Sequence, residues 1–329
     1  MKAVVIDDWG GAPAVRDIPV PEPQQGEVLI EIQAVGVNPF DEKIRMGEFP
    51  QMPHQFPYTL GFDFAGTVER LGEGASRDPS TGWVPRPGDA VFGEVFKIPL
   101  HDGSYAEYVT VPEAGMLVRQ PSTITAPEAA ALPMPGMTAL VTVDAIDPQP
   151  GQVVLIVGAT GGIGGYTAQV VASAGARVIA TALGDEADYV RGLGASEVID
   201  YRRQDVVEAV RAAHPDGIDA LIDTVSTPEQ VNALATLVRP GGRIAGPAPG
   251  PGQIRMDVEA LARRQITGTN TGNPASKDVM ERLARLVEEG GLRVLPLASL
   301  PLEEAPQALE QYRSGHVRGK IVLLPNAAS

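Results

Sequence analysis

The sequence predicts an α/β chain in two parts, a β-rich domain followed by a doubly wound parallel-sheet domain. Three observations carry this prediction. The first 120 residues break into short strand candidates bounded by Gly and Pro, most of them without helical periodicity. From about Pro121, continuous apolar strands alternate with amphipathic helical segments, the pattern of a parallel sheet covered on both faces. Within that second part, VVLIVGATGGIGGYTAQVVASAGARVIAT (Val153–Thr181) runs a buried strand into a glycine-rich loop and then a helix.

In the first part, GEVLIEIQAVGV (Gly26–Val37), FAGTVERLG (Phe64–Gly72), RPGDAVFGEV (Arg86–Val95) and GSYAEYVTVP (Gly103–Pro112) read as strands. In the second, Val153–Val157 is an apolar strand, followed by a helix over Ile163–Ala174 and a strand over Arg177–Thr181. A helix towards Gly194 and a short strand at Val198–Ile199 come next. Ala220–Ile222 and Arg243–Ala245 are further buried strands, with a helix near Pro228–Leu237 between them. The tail, Leu292–Leu324, reverts to short strands around one helix and is expected to pack back on the first domain.

At 329 residues the chain is long enough for two cores. Lys+Arg 26 against Asp+Glu 41 gives a net charge of −15, which argues against a nucleic-acid groove or an anionic membrane face. There are no cysteines, which excludes disulfides, Cys-ligated zinc, iron–sulfur clusters and thiol nucleophiles. No apolar run approaches the ~18 residues that a membrane span needs. The start, MKAVVIDDWG, turns acidic too soon for a signal peptide, so a cytoplasmic protein is expected.

The glycine loop follows a buried strand, opens a helix and precedes another strand, the context of a dinucleotide-binding fingerprint. Its spacing is A-x-x-G-x-x-G over Ala159, Gly162 and Gly165, with further glycines at 158, 161 and 164. Small residues let the helix N-terminus and its N–H groups approach a pyrophosphate. The expected contacts are Gly158, Ala159, Thr160, Gly161, Gly162 and Ile163. An NAD site carries an acid at the end of the second strand, but Thr181 and Ala182 stand there. Nothing at that position repels a 2′-phosphate, to which Thr181 can donate, with Tyr201 and Arg202 as further contacts. Asp185, Glu186 and Asp188 follow; they either repel the phosphate or form a solvated helix start. NADPH is favoured over NADH.

Further segments carry a family likeness: AVGVNPFDEKIRMGEFP (Ala34–Pro50), LGFDFAGTVERLGEG (Leu60–Gly74), GSYAEYVTVP, PGMTAL (Pro135–Leu140), LGASEVIDY (Leu193–Tyr201), GIDALIDTV (Gly217–Val225), RPGGRIAG (Arg239–Gly246) and SGHVRGKIVLLP (Ser314–Pro325). With the glycine loop among them in family order, the chain resembles the zinc-independent quinone oxidoreductases and enone reductases of the medium-chain dehydrogenase/reductase superfamily. The resemblance implies a GroES-like catalytic domain over residues 1–122, with a return at 292–329, and a Rossmann NADPH-binding domain over 123–291. In the zinc alcohol dehydrogenases of that superfamily a ligating Cys falls at Asn38 and a ligating His at Phe62. Neither offers zinc a thiolate or an imidazole, and His54, His101, His214 and His316 are scattered, so no metal is expected.

Without a Lewis acid, a simple ketone is a hard substrate, whereas an enone or quinone spreads the charge that hydride brings. The protein then has to hold the nicotinamide, exclude water and donate hydrogen bonds to one oxygen. By resemblance, Asn38 faces nicotinamide and substrate in the cleft between the domains. Lys43, in an N-P-x-D-x-K pattern similar to the alkenal/enone reductase branch, is the second catalytic candidate. Its competing reading is a solvated lysine or a salt bridge to Asp41, itself read as structural. Some quinone reductases carry tyrosines where Lys43 and Phe49 stand, so tyrosyl proton donation from there is lost. Thr138, Thr224, Val225, Gly246 of the AGPAPGPG loop and Asn270 of NTGN are the remaining cofactor candidates by resemblance. The family's habit of pairing an edge strand implies a homodimer through residues 265–270. Two other readings stand beside a small-molecule reductase: an enoyl reductase acting on carrier-bound acyl groups, and a non-catalytic NADPH-binding protein.

Overall fold

The structure, a computed structural model, describes residues 1–75, 83–113, 115–248, 250, 253–272 and 276–326. The chain divides into two units. The first holds the residues up to Met134, the segment around the helix Lys277–Glu288, and the chain from Val294 onward. The second runs from Pro135 through the last strand of the parallel sheet and takes in Gly290–Arg293.

In the first unit the strands are β1 (Lys2–Ile6), β2 (Ala14–Asp17), β3 (Glu27–Val37), β4 (Tyr58–Thr59), β5 (Asp63–Leu71), β6 (Ala90–Glu94), β7 (Tyr108–Pro112) and β8 (Met116–Arg119). β1 lies between β2 and β4 in a small antiparallel sheet. β3 pairs antiparallel with β5 and, over its first half, with β7, and β5 continues to β6 and β8. The β-branched and aromatic residues of β3 and β5 form the centre of the core, with Ile30, Ile32, Val35, Val37, Phe64 and Val68 all buried. The helix Ala126–Ala130 lies on β3 and β5. It lies so close that a Cβ on Gly36 would run into the Ala130 carbonyl oxygen.

The second unit is a six-stranded parallel sheet: β9 (Val153–Val157), β10 (Arg177–Ala182), β11 (Ala195–Asp200), β12 (Ile218–Asp223), β13 (Val238–Pro247) and β14 (Thr267–Thr271). Their order across the sheet is β11-β10-β9-β12-β13-β14, the order of a doubly wound dinucleotide-binding fold. β9 is central, which is why its run is apolar at every position. Among the described residues no helix is long and apolar enough to cross a membrane.

The chain then returns to the first unit with β15 (Leu297–Pro301), the helix Ala305–Ser314 and β16 (Lys320–Leu324). β16 pairs antiparallel with the end of β3, setting Ile321 opposite Val37, and parallel with β15. The tail thus adds its last strand to the sheet of the first unit. The division itself differs from the expected one at residues 122 and 291. The helix Ala126–Ala130 belongs to the first unit because it covers β3 and β5, and the helix Lys277–Glu288 because β8 covers its apolar face of Met280, Leu283 and Val287. Ser122, at the expected boundary, donates its hydroxyl to Glu288 at 2.6 Å. Amphipathicity shows that such a helix has a side to bury, but not what will bury it.

Two glycine substitutions test this packing. Gly36→Ala is expected to destabilise the first unit by about 1–3 kcal/mol through overpacking against Ala130. Gly192→Ala, at the exposed end of a helix with open space around a Cβ, is expected to be neutral or to stabilise by up to about 1 kcal/mol. Denaturant midpoints of the two variants check the contrast.

Candidate active site

Because the sheet of the second unit is parallel, the carboxyl ends of its strands share one edge, and the expected cofactor residues other than Asn38 and Thr138 gather there. Gly158 follows β9, Thr181 lies at the end of β10, Tyr201 and Arg202 follow β11, and Thr224 and Val225 follow β12. Gly246 and Asn270 are the next-to-last residues of β13 and β14. The strand order reverses between β9 and β12, where open α/β sheets form their ligand crevice.

The loop glycines divide by role. Gly158 has φ +87°, and a Cβ there would strike the Thr224 hydroxyl and lie 2.9 Å from Val225 Cγ1. Gly164 packs the helix Gly162–Ser173 on the loop, since a Cβ would meet the Gly158 carbonyl oxygen. Gly161 faces open space: the nearest atom to a Cβ would be the Gly158 oxygen, 3.8 Å away. Gly161 is also the N-cap of that helix and supplies no side chain to its first-turn N–H groups. An open, uncapped start on a 12-residue helix fits a phosphate.

Thr181 is buried and its hydroxyl oxygen accepts the Gly158 N–H at 3.2 Å, tying β10 to the loop. Tyr201 and Arg202 are exposed beside it. Of the three following acids, Glu186 accepts the Leu183 N–H of its own turn at 3.3 Å and Asp188 pairs with Arg191 at 3.0 Å, while Asp185 is exposed. Ala159, Thr160 and Thr138 are buried. The Thr138 carbonyl accepts the Thr142 hydroxyl (2.7 Å), which lies 3.0 Å from that of Thr271. Val225 stands out at 67% exposure.

Asn270 and Gly246 lie against Arg255. Asn270 Oδ1 accepts the N–H groups of Arg255 (2.7 Å) and Met256 (3.1 Å), and its Nδ2 donates to the Met256 carbonyl (3.0 Å). A Cβ on Gly246 would press on the Arg255 side chain. Arg255, unmarked in the sequence, is buried and donates to the carbonyls of Pro247 (2.7 Å) and Ser226 (2.8 Å), beside Asp223 at 3.3 Å. It pins the end of β12 to the end of β13. Pro249, Pro251 and Gly252 of AGPAPGPG, and Asn273 of NTGN, lie outside the described residues.

In the first unit, Asn38 closes β3 and precedes the helix Pro39–Arg45, and it is only 2% exposed. Its Nδ2 donates to Asp63 at 2.8 Å, and its Oδ1 accepts from the Lys320 ammonium at 2.7 Å. Lys320 donates also to the Val37 carbonyl at 2.7 Å, and the Met134 N–H donates to Asp63 at 3.1 Å. Asp41 accepts the Asn38 backbone N–H (2.7 Å) and the Tyr105 hydroxyl (2.9 Å) on one oxygen. Its other oxygen has no partner among the described residues. Burial raises Asp41 to about 7, with the Asp63 charge adding to it. Burial likewise raises Asp63, opposed by Lys320, and lowers Lys320 to about 8. Nothing local in the sequence marks Asp63, Tyr105 or Lys320, which lie inside segments that read as strand or turn. Lys43 is half-buried in the last turn of the helix.

These positions do not fit zinc. Phe62 is buried in the core against Phe40 and Phe96, and the one side-chain oxygen of Asn38 already faces an ammonium. Among the described residues no group of three His, Cys, Asp or Glu could hold a metal ion.

The raised Asp41 gives a pH test. The folded carboxyl holds its proton up to about 7 whereas an unfolded one releases it near 3.8, so its contribution is complete below about 4 and lost as pH rises through 7. Asp41→Asn is expected to gain stability relative to the wild type as pH rises from about 4 to about 7. Paired denaturant titrations across that window read the difference.

Residues 24–122 match the alcohol dehydrogenase GroES-like domain, and residues 193–323 match the zinc-binding dehydrogenase domain. A quinone oxidoreductase of Lama guanicoe is 30% identical, over 98% of this chain and 97% of its own. The chloroplastic NADPH-dependent alkenal/one oxidoreductase of Arabidopsis thaliana is 29% identical, over 99% of this chain and 80% of its own. The structure of the quinone oxidoreductase from Coxiella burnetii superposes with a TM-score of 0.84 at 28% identity, covering 98% of this chain and 99% of its own. Identity that spans both units and a shared fold make the chain an oxidoreductase: it belongs to the quinone oxidoreductase family of the medium-chain dehydrogenases/reductases.

Proposed function

We propose that the chain uses NADPH to deliver hydride to the C=C bond of an α,β-unsaturated carbonyl compound or to a quinone. The observation that carries this reading is Asn38: a neutral amide, buried and held on both sides, where metal-using members of the superfamily place a ligand. Two relatives, a quinone oxidoreductase and an NADPH-dependent alkenal/one oxidoreductase, point the same way.

The open helix start at Gly161–Ile163 would take the pyrophosphate, and Arg202 with Tyr201 the 2′-phosphate. Thr224 and the exposed Val225 would meet the nicotinamide end. When bound, NADPH supplies the hydride. Hydride addition to a conjugated system leaves charge delocalised onto a carbonyl oxygen, which a fixed neutral donor stabilises. Asn38 is that donor, and its burial keeps bulk water from competing. A saturated ketone concentrates the same charge on one oxygen and asks for a stronger electrophile.

The test is NADPH oxidation by the purified protein with an alkyl enone, a quinone and a saturated ketone, with product identification and NADH as comparison. Turnover of enone or quinone, with NADPH preferred, is the expected result. Turnover of the saturated ketone, or of none of the three, overturns the reading.

The edge strand β14 supports a homodimer built by strand pairing. Light scattering is expected to give the mass of two chains; the mass of one would refute it.

A further inference from the structure

Asn38 is the N-cap of the helix Pro39–Arg45, with extended φ −129° and ψ 151°. An asparagine there ordinarily turns its side chain to accept a first-turn N–H. This one makes no such bond. Its carboxamide is turned instead to Asp63 and Lys320, while Asp41 reaches back from the third helical position to take the Asn38 backbone N–H. A cap has been given up and an amide has been fixed.

The two partners leave the amide one orientation. An ammonium has no acceptor, so Lys320 meets only the amide oxygen, and the nitrogen is left to donate to the Asp63 carboxyl oxygen. Each partner is itself anchored, Lys320 by the Val37 carbonyl and Asp63 by the Met134 N–H. Lys320, like Asn38, is 2% exposed. Among the described residues Nδ2 makes no bond besides that to Asp63, so one of its two hydrogens is uncommitted.

We propose that Lys320 and Asp63 are positioning residues that hold the Asn38 carboxamide in this one flip, so that its uncommitted N–H donates to the carbonyl oxygen of the substrate. The identity of that acceptor rests on the proposed function; the fixing of the amide does not.

Wild type, Lys320→Met, Asn38→Ala and the double variant are compared by kinetics with NADPH and an alkyl enone or quinone, and by NADPH binding followed through its fluorescence. Hydrogen exchange of the Asn38 side-chain amide is followed by NMR in the wild type and Lys320→Met. Asn38→Ala is expected to lower kcat about 100-fold, as loss of one oxyanion donor does. Lys320→Met is expected to lower kcat at least about tenfold, to leave the NADPH Kd within about twofold, and to add nothing to the loss in Asn38→Ala. It is also expected to speed exchange of the Asn38 amide by about tenfold or more. A lysine of merely structural value gives losses that multiply in the double variant. That result, or an unchanged amide exchange, overturns the proposal. Asp63→Leu removes the acceptor on the nitrogen side of the same amide and is expected to behave alike, so a Lys320→Met chain that does not fold leaves the test standing. If the wild type turns over no acceptor, the proposed function fails, and the amide exchange still decides whether Lys320 and Asp63 hold Asn38.

Discussion

An ammonium enclosed in a hydrophobic core is tolerated only where acceptors and opposite charge surround it, and the first unit is arranged around that demand. Three segments apart in sequence meet there. β16 brings Lys320, β5 brings Asp63, and the end of β3 with the helix directly after it brings the Val37 carbonyl, Asn38 and Asp41. Removing one partner of such a buried set typically costs about 3–5 kcal/mol, because the remaining charge stays without its complement. The antiparallel pairing of β16 with β3 is thus more than a closing strand: it delivers the cation on which the orientation of Asn38 depends.

The second unit meets a related demand with a different cation. Arg255 is buried beside Asp223, and its remaining hydrogens go to carbonyls at the ends of β12 and β13. That staple holds the loops on the carboxyl edge of the sheet, where Thr224 and Val225 emerge. The glycine loop on the same edge combines closeness with space. Gly158 and Gly164 admit neighbours that any side chain would displace, while Gly161 leaves room in front of an uncapped helix. Packing and binding therefore use the same residue type for opposite reasons, one to let protein in and one to leave protein out.

What could be read along the chain was local. The apolar run of β9, the glycine loop and the succession of strands and helices depend on neighbours a few residues apart, and the doubly wound sheet follows from them. Asn38 was visible as a polar residue at a position of chemical interest. Its partners were not. Lys320 lies in GKIVLLP, which reads as a strand motif, and Asp63 in LGFDFAGTV draws notice only for following a phenylalanine that is not a histidine. Tyr105 reads as part of a turn, although its hydroxyl lies on Asp41.

The two kinds of domain, the strand-to-helix turn suited to an anion and the absence of any cysteine are properties of the sequence alone, and the family resemblance adds that neither thiolate nor imidazole stands at the metal positions. These rest on residue chemistry and on periodicities of two and 3.6, which need no knowledge of distant pairing. The tertiary structure alone decided that the helix Lys277–Glu288 covers β8, that Arg255 staples two strand ends, and that a lysine near the end of the chain orients an asparagine near its beginning. Each depends on which strands pair and in what register, and burial then turns an ordinary charged side chain into a fixed, directional one.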